Sequence, residues 1–535
     1  MSTVFDCIVV GSGSGGSAVA GRLAERGKMI ALLEAGGSDY RLAVMMPAAT
    51  YLTAIGNPRY DWRYVARADA TRGGRRDYMP RGKVLGGSSS INGMLYVRGQ
   101  PEDFEDWAAQ GCTGWDFNNV LPYYKRAEDN ERGADEYHAV GGPLGVSNLR
   151  VSHPLSTAFL ETCERIGLPR MADLNRPPQY GVGYVQATQR NGRRCSSYHA
   201  YVRPLRGKRN LLTVTQAHVT RILIERGRAV GVEFSRRGEV SRLRARSVVL
   251  AAGALASPQI LMLSGVGPAA HLKEHGIEVK HDLEGVGRNF QDHAGTSHIV
   301  WTNIPTYNVQ NTRLHQLLYV TWWLALGRGP ASTPDAHVLA FARTKAGLNR
   351  SDIQFHFTPA GYDLDEKGPV LFDKPAATAL NNLHRPASRG FIELASPSPF
   401  DPPAIQPNLL AEEEDVRKLI AGAKLLRQVF DTQPLKTFVQ GEFKPGADVQ
   451  TEDEWVAYVR GSSIGIYHPA GTCKMGTGPE AVVDPRLNVR GVEGLFVADA
   501  SIMPVVVSGN LNASCMMIGE RCADFVQAHL DGRVS

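Results

Sequence analysis

Two stretches at opposite ends of the chain carry residues whose types and spacing could do chemistry. Near the C-terminus, "IYHPAGTCKMG" (466–476) presents a single imidazole, His468, with Pro469 restricting and Gly471 freeing the loop that follows. An unperturbed imidazole titrates at about 6.5, so its neutral form can take a proton from a hydroxyl at physiological pH. Near the N-terminus, "FDCIVVGSGSGGSAVAGRLAERGKMIALLEAG" sets Gly11, Gly13 and Gly16 at G-x-G-x-x-G spacing. An apolar run of strand length precedes them, a helical pattern of small and apolar residues follows, and "MIALLEAG" reads as a second buried strand. Such glycines permit a tight turn, approach of a pyrophosphate to the backbone around Ser12, and close helix packing, while the helix N-terminus offers unpaired N–H groups. Glu34, beside Ala35, ends the second strand about twenty residues on, where a carboxylate holds ribose hydroxyls; no arginine suited to a 2′-phosphate takes its place. The unit marks a dinucleotide bound through its ADP half and leaves FAD and NAD both open.

Several elements must position these groups. "RSVVLAAGAL" is another buried strand running into a glycine turn, which suits the nucleotide-binding sheet, and "HVTRILIERGRAVGVEF" reads as two strands around an "RG" turn. "VEGLFVADASIMP" holds an apolar strand ending at Asp499. "NASCMMIGERCADFVQAHL" then has helical periodicity with Asn512 at its start as cap. "GGSSSINGM" is a run of small residues that lets backbone approach a flat ligand, with Asn92 as a polar contact and a strand-like flank, "MLYV". "FHFTPA" (355–360) reads as a strand, either flooring a pocket or serving only the core. "LLYVTWWLALG" (317–327) is too short to span a membrane and is expected to be a buried or cleft-covering helix rather than an interfacial anchor.

With 535 residues, 43% of them hydrophobic, the chain is long enough for two domains or one large domain with insertions. Its charge of +6, from 59 basic and 53 acidic residues, is spread along the sequence, so no nucleic-acid footprint is expected. Seven scattered cysteines without C-x-x-C spacing indicate neither a disulfide scaffold nor a zinc site, and no metal is expected. The start of the sequence shows no leader pattern and no apolar run is long enough to cross a bilayer, so the expected location is cytoplasmic, with peripheral membrane contact left open.

Four motifs in order, the front unit, "RGKVLGGSSSINGMLYVRG" (81–99), "GALASPQILMLSGVGP" (253–268) and "YHPAGTCKMG", resemble the signatures of the glucose-methanol-choline (GMC) oxidoreductases, in particular their bacterial choline-dehydrogenase-like branch. The resemblance runs essentially end to end. It implies an α/β fold, with FAD held by a discontinuous Rossmann-like domain (1–154, 211–295 and 463–535) and a substrate domain (155–210 and 296–462) built on a mixed β-sheet backed by helices. By the same resemblance Arg81, Gly86, Gly87, Ser88, Ala252 and Gly253 join the FAD site. Gly93, Met94 and Leu95 line the ring, Val219 contacts the adenine, Asp499 and Ala500 the ribityl or pyrophosphate region, and Asn512 the flavin. His468 matches the catalytic histidine, and Asn510 the residue that holds the substrate oxygen. Where some relatives attach FAD through a histidine this chain has Ile91, so FAD is expected to be non-covalent.

The activity this implies is oxidation of a primary alcohol to the aldehyde, with electrons passed to a quinone-like acceptor or to oxygen. "GGPLGVSNL" and "RNGRRCSSYHAYVRPL" look similar to bacterial sorbose and polyethylene glycol dehydrogenases, favouring a polyol, sugar or ether alcohol over choline. Alcohol oxidase, choline dehydrogenase and hydroxynitrile lyase are the alternatives on the same scaffold.

Overall fold

The computed structural model describes residues 4–310, 312–365 and 368–533. Residues 1–3 and 366–367, which belong to the sequence start and to the loop-rich segment before Pro369, lie outside the described residues. Strand β1 (Val4–Val10) is buried throughout its second half, as a strand covered on both faces must be, and it pairs in parallel with β2 (Ile30–Glu34). The sheet continues through β3 (Leu211–Thr215), β4 (His218–Glu225), β5 (Arg228–Arg236) and β6 (Glu239–Leu250) in the order β3–β2–β1–β6–β5–β4. Pairing is parallel up to β6 and antiparallel along β6–β5–β4, so one mixed sheet joins a nucleotide-binding half to a meander. Leu495–Val497, from near the other end of the chain, also pairs in parallel with β6.

Helix α1 (Ser14–Glu25) follows β1 and packs on the C-terminal helix Asn512–Leu530. The approach is close enough that a Cβ at Gly519 would lie 2.4 Å from the Gly15 carbonyl oxygen. Gly16 does what the third glycine of the pattern predicts: a Cβ there would lie 2.0 Å from the Gly11 oxygen, so only glycine lets the helix sit on the turn.

A second sheet contains β7 (Ala294–Thr302), β8 (Val338–Ala342), β9 (Ile353–Thr358), β10 (Ala376–Leu383) and β11 (Val439–Lys444), with Gly181–Tyr184 on the far side of β8. Its order is β11–β7–β10–β9–β8, and its pairings are antiparallel; the mixed pairing falls in the first sheet. Phe355 and Phe357 of β9 pack with Leu155, Phe159 and Leu419 from the helices behind it. His356, between them, faces the other way, as strand alternation requires.

Two local expectations need correction. Met94–Val97 is not a strand: Leu95 makes only an isolated bridge to Ala187, and Met94 has φ 63°, a left-handed conformation that ends any extended run. The apolar stretch at 317–327 is helical, α2 (Arg313–Leu326), but it is neither buried nor a cleft cover: Leu314, Leu317 and Leu326 are 65%, 66% and 63% exposed, and Trp323 alone among its described residues is buried. Its attachment is one-sided. Trp323 Nε1 donates to the Gly192 carbonyl at 2.7 Å, and Gly327 closes the helix against Asn191. A sequence apolar on every side gives no phase from which to read the buried face.

No helix among the described residues is long and apolar enough to cross a membrane. The cysteines are all free, and no cluster of metal-ligating side chains occurs among the described residues.

Candidate active site

A cavity of about 620 Å³ runs between the sheets, from Glu34 and Val219 at one end to His468 and Asn510 at the other. Strand β2 delivers Glu34 to its wall. Glu34 Oε2 accepts from Ser12 N and Oγ at 3.1 and 2.8 Å, and Oε1 accepts from Gly36 N at 2.8 Å. Burial pushes this carboxyl up, and the three donors oppose the shift. Gly11 and Gly13 line the cavity, as do Ala35, Ala252 and Gly253. Ser12, Gly16 and Gly86, expected at the cofactor, stand behind the wall instead: the Ser12 hydroxyl accepts from Gly86 N at 3.1 Å and ties the two glycine loops together.

The second loop, 86–95, presses its glycine backbone against the first; a Cβ at Gly87 would lie 2.8 Å from Gly13 Cα. Gly87, Ser88, Gly93, Met94 and Leu95 all reach the cavity. Asn92 is fixed by Arg194, whose guanidinium donates to its backbone and side-chain oxygens, both at 2.8 Å. Asp499 and Ala500 line the opposite side. The Asp499 carboxylate accepts from Gly253 N at 2.9 Å, Ser257 Oγ at 2.5 Å and Ser501 N at 2.8 Å, so it anchors the Gly253 turn as well as capping its own strand end. Asn512 is the first residue of the C-terminal helix rather than its cap; its Oδ1 accepts from Ser14 Oγ at 2.7 Å, and Leu511 holds the cap position without a side-chain bond.

These residues fit FAD. Space is open before Gly253, where a Cβ would meet nothing within 4 Å. The N-terminus of α1 has no side-chain cap, leaving its N–H groups for a pyrophosphate. The C-terminal helix also points an uncapped N-terminus at the cavity, where it favours negative charge.

At the far end His468 and Asn510 meet. Asn510 Nδ2 lies 3.3 Å from His468 Nε2, and His468 Nδ1 lies 3.0 Å from His293 Nδ1. With the Asn510 amide nitrogen facing the ring, as here, it can only donate, and this orientation assigns the ring proton to Nδ1, donated to His293, and leaves Nε2 as the acceptor on the cavity side. Burial, followed by the neighbouring His293, His356 and Arg81, holds the His468 pKa well below the usual histidine range, so the ring is neutral. His468 N donates to Asp292 Oδ1 at 2.8 Å, fixing the loop. Tyr467, one residue earlier, has φ 71°, a conformation strained for a bulky side chain and common where a loop must aim its neighbour. The Arg81 guanidinium donates to the Tyr467 carbonyl and lines the cavity. Asn510 Oδ1 is buried with no partner among the described residues.

Three groups here were not singled out from sequence. His293 sits at the foot of β7, where "QDHAG" reads as a loop entering a buried strand. His356 lies inside an apolar alternation that predicts only a face, and burial holds its pKa down at about 3. Asp335 reaches the cavity from the turn before β8, against Gly93, and nothing local distinguishes it from a turn aspartate.

Comparison with known proteins gives the family. Residues 5–295 match the N-terminal and 386–519 the C-terminal family model described as GMC oxidoreductase. The chain is 41% identical to the mitochondrial choline dehydrogenase of Homo sapiens, over 98% of this chain and 90% of that protein. It is 40% identical to an oxygen-dependent choline dehydrogenase of Rhizobium etli, over 97% and 95%. Among solved structures, pyridoxine 4-oxidase from Mesorbium loti superposes with TM-score 0.89 at 30% identity, covering 98% of this chain and 99% of that one. A formate oxidase gives 0.92 at 25%, covering 100% of both. With its glycine cradle, its Glu34 end and its histidine–asparagine end in one cavity, the chain belongs to the GMC oxidoreductase family and is an FAD-dependent oxidoreductase acting on alcohols.

Proposed function

We propose that the enzyme oxidises a primary alcohol of the polyol, sugar or ether type to the aldehyde, with His468 as base, and passes the electrons to a quinone-like acceptor. The observation that carries this reading is the His468–Asn510 pair on the cavity wall, with a neutral imidazole and a bare Nε2. The alcohol hydroxyl gives its proton to Nε2, and the resulting imidazolium keeps its Nδ1–H bond to His293. Asn510 donates to the substrate oxygen and holds it against the base. Bound FAD would supply the acceptor for the hydride that leaves the carbon bearing this hydroxyl. Ile91 lines the cavity and offers no nucleophile, in keeping with non-covalent FAD. We assign the FAD domain to 1–154, 211–295 and 463–535, and the substrate domain to 155–210 and 296–462, whose strands build most of the second sheet.

Choline is the second reading, because a carboxylate, Asp335, and two rings, Tyr362 and Tyr467, line the cavity and suit a quaternary ammonium. The test is anaerobic mixing of the holoenzyme with a panel of primary alcohols, polyols, ethylene glycol oligomers and choline, followed by reoxidation with a quinone or with air. Neutral alcohols are expected to bleach the flavin, and His468→Ala to slow bleaching about a hundredfold or more. Bleaching by choline alone establishes the second reading. A protein that no alcohol bleaches but that cleaves a cyanohydrin is a lyase.

A further inference from the structure

Helix α2 turns its apolar side away from the protein. Trp323 faces the body, while Leu314, Leu317, Leu318, Trp322, Leu324 and Leu326 are all exposed. At 3.6 residues per turn Leu314, Leu317 and Leu318 lie opposite Trp323, Trp322 and Leu324 lie on the flanks, and Leu326 lies nearer the Trp323 side. A further exposed leucine, Leu42, at 57%, sits on a segment that shares a neighbour with the helix: that segment and α2 both pack on the short hairpin at 189–194, through Arg194 to Val44 and Trp323 to Gly192. Apolar residues are thus concentrated on one side of the molecule, in a patch of the kind soluble surfaces avoid.

Among the described residues the unpaired charge on these segments is basic; the nearby carboxylates Glu131 and Asp129 are paired with Arg150 and Arg190. Arg313 and Arg328 bracket the helix and are exposed, and Arg41 is exposed next to Leu42. From His293 to Pro334 the sequence contains no aspartate or glutamate. The helix, 14 residues long, falls short of the roughly twenty needed to span a bilayer, but an apolar face between basic ends suits lying in the headgroup plane. A second copy of the chain is a poorer occupant. Two such faces together would oppose arginines with no carboxylate of this segment to pair them.

We propose that α2, with Leu42, docks on an anionic phospholipid membrane. The contact sits next to the active site, since the turn after α2 runs directly to Asp335 on the cavity wall. It therefore places the substrate cavity beside the lipid surface, where apolar alcohols and quinones concentrate.

The experiment uses the full-length, FAD-loaded protein in sedimentation with vesicles of phosphatidylcholine alone or mixed with phosphatidylglycerol. Binding is expected to the mixed vesicles, at least about tenfold stronger than to phosphatidylcholine and weakened by salt. Brominated lipid should quench fluorescence in the parent and much less in Trp322→Phe. The double variant Leu317→Glu/Leu318→Glu, altered only at exposed positions, should keep its FAD and its flavin reduction by alcohol yet lose vesicle binding about tenfold or more. The proposal is overturned if the parent stays in the supernatant with mixed vesicles, or if the charged double variant binds them equally well. It is likewise overturned if light scattering shows a parent dimer that the double variant dissociates while neither protein binds vesicles.

Discussion

Replacing His293 by alanine tests the proton arrangement at the site without touching the base. In the parent, the 3.0 Å bond from His468 Nδ1–H to His293 Nδ1 keeps the bare nitrogen, Nε2, toward the substrate. Without that acceptor the reactive tautomer leaves a buried N–H unpaired, which costs about 1–3 kcal/mol, equivalent to roughly a 5- to 150-fold slower proton abstraction. Loss of the base itself, in His468→Ala, should cost about 10²–10⁴-fold. The pH dependence separates the two. The His468 pKa is held below the usual range by burial first and by His293 second. Only the neutral ring accepts a proton, so the acid limb of kcat/KM in the parent lies below about 6.5. With His293 gone and water admitted, that limb moves up in pH. Stopped-flow flavin reduction under anaerobic conditions, measured across pH, reads both effects. A His293→Ala enzyme with the parent rate and an unmoved acid limb refutes the assigned tautomer.

Other outcomes follow from the same geometry. Asn510→Ala is expected to slow flavin reduction while retaining FAD, and Asn510→His to keep more activity, because imidazole can donate from a similar place; equal rates in the two variants would move the orienting role elsewhere. Glu34→Ala removes the acceptor of three hydrogen bonds and should weaken FAD retention, measured by cofactor occupancy after gel filtration, with the rate per bound flavin preserved. Acid precipitation should release all flavin into the supernatant because Ile91 cannot form a bond to it; flavin in the washed pellet would contradict this.

The sequence was most informative where local chemistry and periodicity coincide. Gly11, Gly13 and Gly16 need a turn between a strand and a helix, and Glu34 must end the next strand, so the front unit is legible from spacing alone. The C-terminal helix is equally clear, because its apolar period runs unbroken from Asn512. The proton-handling end is different. His468 and Asn510 stand out through motif resemblance, and His293 is brought to His468 by the antiparallel pairing of Ala294 and Gly295 with Gly465 and Ile464 and of Gln291 with Ala470, which no local pattern encodes. Asp335 and His356 become cavity residues because the second sheet faces the first. The same limit explains α2: its apolar character was evident, but the direction of its apolar face depends on a single tryptophan reaching a distant carbonyl.

Strand β6 sets the order in which the molecule can be made. It pairs with β1 on one edge and with Leu495–Val497 alongside, so the sheet around the first residues of the chain closes with some of the last. At about 5–20 residues per second, a ribosome needs roughly 23–92 s to travel from Glu34 to Leu495. Through most of that interval the other end of the cofactor cavity has yet to be synthesised, because His468 comes near its close and Asp499 and the C-terminal helix only after it. Capture of FAD is therefore a late event, although β1 itself gains both of its strand partners once β6 has been made. A nascent chain arrested before Leu495 is expected to hold no flavin, whereas release of the complete chain in the presence of FAD should load it.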